Sequence, residues 1–207
     1  MTAAPTHGLA TIVALDPPFR CATPADASAL AELANMAGEG MPLHLWARMA
    51  GPGDTPWDLG RARARGAHGS FSHRNAVVAE VDGQVVASLV GYRLPDAPRA
   101  IDLNTKPAML VPMQQLENLA PGTFYVNFLA TRPADRRQGY GARLLSIADR
   151  MVSGTDASGL SIIVADGNEN ARRFYEKCGY SSAAARPMVK EDWENPGENW
   201  LLLTKAL

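Results

Sequence analysis

The 207-residue sequence has little cysteine, no long hydrophobic run and almost no net charge. Its two cysteines, Cys21 and Cys178, stand far apart. That excludes a disulfide framework and a cysteine-based metal spacing, and it fits a reducing compartment, so a cytoplasmic location is expected. No apolar stretch approaches the ~20 residues of a membrane helix, so no membrane attachment is expected. The first residues lack a basic region followed by an apolar run, and no signal peptide is expected. A net charge of -1 supplies no global field toward nucleic acid or anionic lipid. Arg61, Arg63 and Arg65 alternate rather than share one helical face, which also argues against a nucleic-acid partner. The four histidines, His7, His44, His68 and His73, show no ligand spacing, and no metal is expected.

What is present is a chain long enough to bury a core without crosslinks. Residues 1–18 hold no sustained pattern and read as a flexible N-terminal tail, leaving 19–207 as a single domain. After the short apolar run Phe19 to Ala22, Thr23-Pro24-Ala25-Asp26 offers a helix start, and Leu30, Leu33, Ala34 and Ala37 follow at helical spacing. Gly38-Glu39-Gly40 ends that helix. Two more are predicted, over 42–50 and 57–65. Ala76 to Val81 and Gln84 to Tyr92 read as strands joined at Asp82-Gly83, a two-residue hairpin signal. A helix is predicted within 109–119, a strand over 123–131, a helix over 140–152, a strand over 160–165, a helix over 168–178 and a closing strand over 200–204. The class is mixed α/β.

The sharpest segment runs from Phe128 through Arg136-Arg137-Gln138-Gly139-Tyr140-Gly141-Ala142. A strand enters a basic, glycine-containing turn and a helix leaves at once. The first amides of a helix lack intrahelical partners and its dipole favours negative charge, so such a turn suits a pyrophosphate. Glycines at 139 and 141 allow close approach of an anion to the main chain. The P-loop is excluded because Ala142-Arg143 follows Gly141 where Lys-Ser/Thr is required. The dinucleotide fingerprint is excluded because Leu144 occupies its third glycine position.

Arg136-x-x-Gly139-x-Gly141, directly after a strand, resembles the acetyl-CoA motif of the GNAT superfamily of N-acetyltransferases. The resemblance implies that the amides of Arg137, Gln138, Gly139, Tyr140, Gly141 and Ala142 hold the CoA pyrophosphate beside Arg136. It implies too that Leu129, Ala130 and Thr131 pair their main chain with the pantetheine arm. A second segment, Asn168-x-x-Ala171-x-x-Phe174-Tyr175 with Gly179-Tyr180 after it, is similar to the family's later motif. By that likeness Asn168 and Ala171 contact the pantetheine region, and Tyr175 lies near the sulfur as general acid. The implied fold is a central mixed, mostly antiparallel twisted sheet flanked by helices, splayed between the strands near 123–131 and 160–166.

The resemblance further implies acetyl transfer from acetyl-CoA to a primary amine, by direct attack in a ternary complex, with a homodimer common in the family. A strand amide, that of Leu129 for one, would polarise the thioester carbonyl. The strand over 123–131 carries Tyr125 and Asn127 but no acid to act as base. Glu80 is a candidate base through water, and Glu39 a candidate base or acceptor-binding group. Cys178 reads as a small buried apolar residue. His44 stands near the expected acceptor entrance. The polar run 187–200 reads either as a loop on the acceptor side or as a surface connection. A different class of function stays open: a non-catalytic acetyl-CoA-binding sensor or regulatory module.

Overall fold

A computed structural model of the protein describes residues 14–153 and 155–206. Residues 1–13 of the expected tail lie outside the described residues. Its last part is not loose: Pro18 O accepts the Glu80 amide at 2.8 Å and Leu15 packs on the core.

Strand β1 (Phe19–Cys21) leads into three helices, α1 (Ala27–Ala37), α2 (Met41–Met49) and α3 (Pro56–Arg65). A hairpin of β2 (Ala76–Val81) and β3 (Gln84–Arg93) follows. After it come α4 (Val111–Glu117), β4 (Phe124–Thr131), α5 (Tyr140–Ser153), β5 (Leu160–Ala165), α6 (Glu169–Lys177), β6 (Ser181–Pro187) and β7 (Asn199–Lys205). The strands form one seven-stranded sheet in the order β1-β2-β3-β4-β5-β7-β6. Only the central pair, β4 with β5, is parallel. No described helix is long and apolar enough to cross a membrane.

Local chemistry explains the boundaries. Thr23 and Asp26 cap each other ahead of α1, and Thr55 and Asp58 do the same for α3, each with proline just inside the start. The turn at Asp82 and Gly83 takes φ of 49° and 73°, the double left-handed geometry of a type I′ hairpin. Helix α5 buries Leu144, Leu145, Ile147, Ala148, Met151 and Val152 against β3 and β4 on one sheet face. Each large apolar side chain there contributes roughly 1.5–3 kcal/mol of burial. Helices α1 and α3 cover the other face near β2, β3 and β4, and a separate cluster of Met41, Leu45, Met109, Leu116, Trp193 and Trp200 fills that face further along.

Helix α4, Val111–Glu117, lies within the predicted range and follows a 3-10 turn over Ala108–Leu110. One strand departs from the sequence expectation. Strand β6 had no counterpart, because Ser181-Ser182-Ala183-Ala184-Ala185 lacks the branched and aromatic residues that mark strands. Pairing with β7 makes it a strand.

Candidate functional site

Strands β4 and β5 pair only through Phe124↔Leu160, Tyr125↔Ser161 and Val126↔Ile162. Phe124 N–H donates to Gly159 O at 2.9 Å, and the hydroxyls of Thr123 and Ser161 meet at 2.7 Å, so the closed end is tightly held. Beyond Val126 the strands part. β4 runs on to Thr131 paired with β3, and β5 to Ala165 paired with β7. A wedge opens between them. At its apex β4 bulges: Val126 faces Gly91, Phe128 faces Val90, and Asn127 is the extra residue. Gly91 is required there, since a Cβ would come within 2.4 Å of the Phe124 ring.

Beyond the wide end of the wedge, β4 passes through the 3-10 turn Pro133–Asp135 into α5. Arg137 and Gly139 take φ of 64° and 85°. Those two left-handed residues turn the chain so that α5 starts facing outward, with Arg136 to Gly139 exposed. Among the described residues the amides of 137–142 donate to no protein acceptor; the helix is first closed by Arg143 N–H to Gly139 O at 3.0 Å. This row of free donors at a helix start fits a diphosphate. A Cβ at Gly139 would meet nothing within 4 Å, whereas one at Gly141 would come 3.3 Å from the Phe174 ring. The two glycines therefore serve differently: Gly139 for its backbone conformation, Gly141 for close packing of α5 on α6. Arg136 folds back, its Nε reaching Thr131 O at 3.4 Å and its Nη2 lying 3.8 Å from Met36 Sδ.

On the β5 side, Asn168 caps α6 by accepting the Ala171 amide at 3.1 Å. Tyr175 is 6 % exposed and sits in one apolar cluster with Val126, Ile162 and Val164, with Ala171 and Leu129 packed against it. Burial, and after it the nearby Cys178 sulfur, pushes the Tyr175 phenol well above its ordinary range, so it keeps its proton. The ring packs edge-on to Phe174 and Tyr180. Cys178 is half-buried, and burial raises its thiol.

The two candidate acids are placed differently. Glu80, on β2, is bound by the Arg20 guanidinium, which also holds Asp26. It stands two strands from β4. Glu39 turns the α1–α2 loop at φ 52° and reaches the far side of the wedge. Its Oε1 accepts from Asn168 Nδ2 and its Oε2 from Asn195 Nδ2. Its carbonyl accepts from Trp193 Nε1 at 3.2 Å. The 188–198 segment is thus tied to the α1–α2 loop through Trp193 and Asn195, while Asp192, Glu194, Pro196 and Glu198 stay exposed. His44 Nε2 is 3.1 Å from Asp192 Oδ1, and Arg48 pairs with Glu191 and Asp192. His44, Glu191 and Asp192 bring one ligand atom each within 4.8 Å of one another, a grouping that no sequence spacing indicates. Arg48 supplies the positive charge among them. Asp166, at the end of β5, fixes the return of the segment by accepting from Glu198 N, Asn199 N and Asn199 Nδ2.

Residues 44–180, well over half of the chain, match the model of the acetyltransferase (GNAT) family. The chain belongs to that family. Three solved structures share the GNAT fold with it. A crystal structure of an acetyltransferase is 18% identical with a TM-score of 0.62, covering 91% of this chain and 98% of that one. An N-acetyltransferase from Staphylococcus aureus Mu50 is 18% identical at 0.60, covering 90% and 98%. Ard1 from Thermoplasma volcanium is 16% identical at 0.55, covering 91% and 96%. No curated protein matches the chain. GNAT enzymes are acetyltransferases with acetyl-CoA as cosubstrate, and this chain is an acetyltransferase of that kind.

The GNAT fold brings most of the sequence-derived candidates to one wedge: Leu129, Ala130 and Thr131 on one side, the Arg136–Ala142 turn beyond its wide end, and Asn168, Ala171 and Tyr175 opposite. Glu39 joins them through Asn168, and Glu80 does not. Asn195 and Trp193 carry no motif and could have been found only through the polar character of the 187–200 run. Glu117, on α4, is a further acid without sequence signal. Burial raises its carboxyl, against the pull of Lys106 and Arg99, and its charge is felt by Tyr92 and Tyr125.

Proposed function

We propose that this GNAT enzyme moves an acetyl group from acetyl-CoA to a primary amine by direct attack within a ternary complex, in a cytoplasmic setting. The observation that carries this reading is the row of free amides over 137–142 beyond the wide end of a wedge that narrows to the Asn127 bulge. Acetyl-CoA supplies a thioester carbonyl open to attack. The amides of Arg137 to Ala142 bind its diphosphate, and the positive helix end adds to their pull. Leu129, Ala130 and Thr131 have no β5 partner, and by the alternation of the β3 ladder the main-chain groups of Leu129 and Thr131 face the gap, where an extended arm can pair with them.

The chain's own residues then account for charge and protons. A β4 amide past the bulge, that of Leu129, donates to the carbonyl oxygen as charge grows there. Glu39 binds the acceptor amine and takes its proton. Tyr175 enters as a neutral phenol, because burial holds its proton on, and donates to the sulfur as the C–S bond breaks. The second proton of the attacking nitrogen, shed as the amide forms, restores the phenol, and Glu39 releases its proton to solvent. Glu39 is preferred to Glu80 as base because it meets Asn168 at the wedge, while Glu80 is occupied by Arg20.

The test is thiol release. Acetyl-CoA with a panel of primary amines is expected to yield free CoA only when a suitable amine is present. Tight acetyl-CoA binding with no amine-dependent release across small amines, amino acids and peptides overturns the reading and leaves a binding module.

A further inference from the structure

The feature that needs a cause is how Glu39 is held. Its two carboxylate oxygens accept from two asparagine amides that lie 129 and 156 residues away in sequence. Neither amide is free to turn. Asn168 Oδ1 is fixed by the Ala171 N–H at 3.1 Å, and Asn195 Oδ1 by the Gly197 N–H at 2.8 Å. With each oxygen committed to the backbone, the NH₂ group is the one left to meet Glu39.

The partners are also chemically telling. Among the described residues no lysine, arginine or histidine pairs with Glu39, although Arg48, Arg20 and Arg132 each hold another acid. A guanidinium would neutralise the carboxylate. Neutral amides fix its direction and leave its charge available to a cation. The backbone beneath it is fixed as well. Trp193 holds the Glu39 carbonyl while its ring, 7 % exposed, stacks on Trp200 at 6.0 Å. Lys190 Nζ caps the Asn195 carbonyl at 2.9 Å, and Asp166 anchors the segment from below.

We infer that Asn195 is a positioning residue of the acetyl-transfer site: with Asn168 it aims the Glu39 carboxylate at the acceptor amine. The 188–198 segment is then part of the acceptor site, and the amine it serves is one that arrives as a cation and gives a proton to Glu39. This rests on Glu39 being the acceptor-side acid proposed above. Asn195 touches neither substrate in this scheme and acts only through Glu39.

A double-mutant cycle tests it on the full chain, with acetyl-CoA and an amine that the wild type acetylates. Asn195→Asp keeps the oxygen that meets Gly197 N–H but puts an oxygen where the donor was. Glu39→Gln is expected to lower kcat on the order of a hundredfold. Asn195→Asp is expected to lower kcat about tenfold or more, with acetyl-CoA affinity and thermal midpoint unchanged. The double variant should be no slower than Glu39→Gln alone, because Asn195 has nothing left to position. If Asn195→Asp does not fold, Asn195→Ser replaces it, since its hydroxyl is too short to reach Glu39. Losses that multiply in the double variant, or wild-type kcat in the Asn195 variant beside a slow Glu39→Gln, overturn the inference and leave Glu39 in place. Wild-type kcat in Glu39→Gln overturns the assignment of Glu39 itself, and the inference with it.

Discussion

At Gly139 the backbone takes φ 85° and a Cβ would meet open space, so a substitution tests electrostatics with little steric disturbance. Gly139→Glu costs about 1–2 kcal/mol of left-handed strain. Its carboxylate, set against a diphosphate, is expected to weaken CoA binding by at least about a hundredfold, measured by calorimetry. Tyr175→Phe removes the donor and leaves the ring in its cluster; turnover is expected to fall about a hundredfold with CoA affinity near wild type. Gly139 is legible in the sequence because its run, a strand entering a glycine-containing helix start, suits an anion, whereas Tyr175 is legible through the resemblance of its run to the family's later motif. Glu39 is legible only as an acid in a glycine-flanked loop. Asn195 has no signal beyond the polar run it stands in, because its role depends on contacts across 156 residues and not on its neighbours.

Among the elements, β4 decides the most. Its bulge at Asn127 depends on a glycine in β3: Gly91→Ala would press a methyl group against Phe124 at 2.4 Å. The expected result is a loss of about 1–3 kcal/mol in denaturant unfolding, with lowered kcat as the bulge shifts. Elements with a strong period or a clear turn, such as α5 and the β2–β3 hairpin, could be read directly. The bulge could not, since register arises from pairing between strands. β6 escaped for a related reason: three alanines take strand form only because β7 lies beside them.

Across the whole molecule, the N-terminal corner is tied by Arg20, Asp26 and Glu80. Burial pushes the Asp26 carboxyl up, but the bonds from Arg20 and Thr23 outweigh it and hold the group below its usual range. A depressed folded value means that this stabilisation is present above the unfolded value, about 3.9, and is lost as pH falls through the folded one. Asp26→Asn is therefore expected to lose roughly 1–3 kcal/mol at neutral pH and to flatten the acid side of the stability profile, read from urea melts at several pH values.

The three-pair length of the β4–β5 ladder has a last consequence. A seven-stranded sheet with an unstitched central seam is two smaller sheets sharing a hinge stitch, and the main-chain groups along the gap rest on solvent. An extended ligand arm laid there acts as a surrogate eighth strand. Occupancy and cohesion then become one quantity: at a hundred times its dissociation constant the ligand adds about 2.7 kcal/mol to the folded state. The backbone amides of Leu129 and Thr131, which alternate with those bonded to β3, should pass from fast to slow deuterium uptake in the same titration.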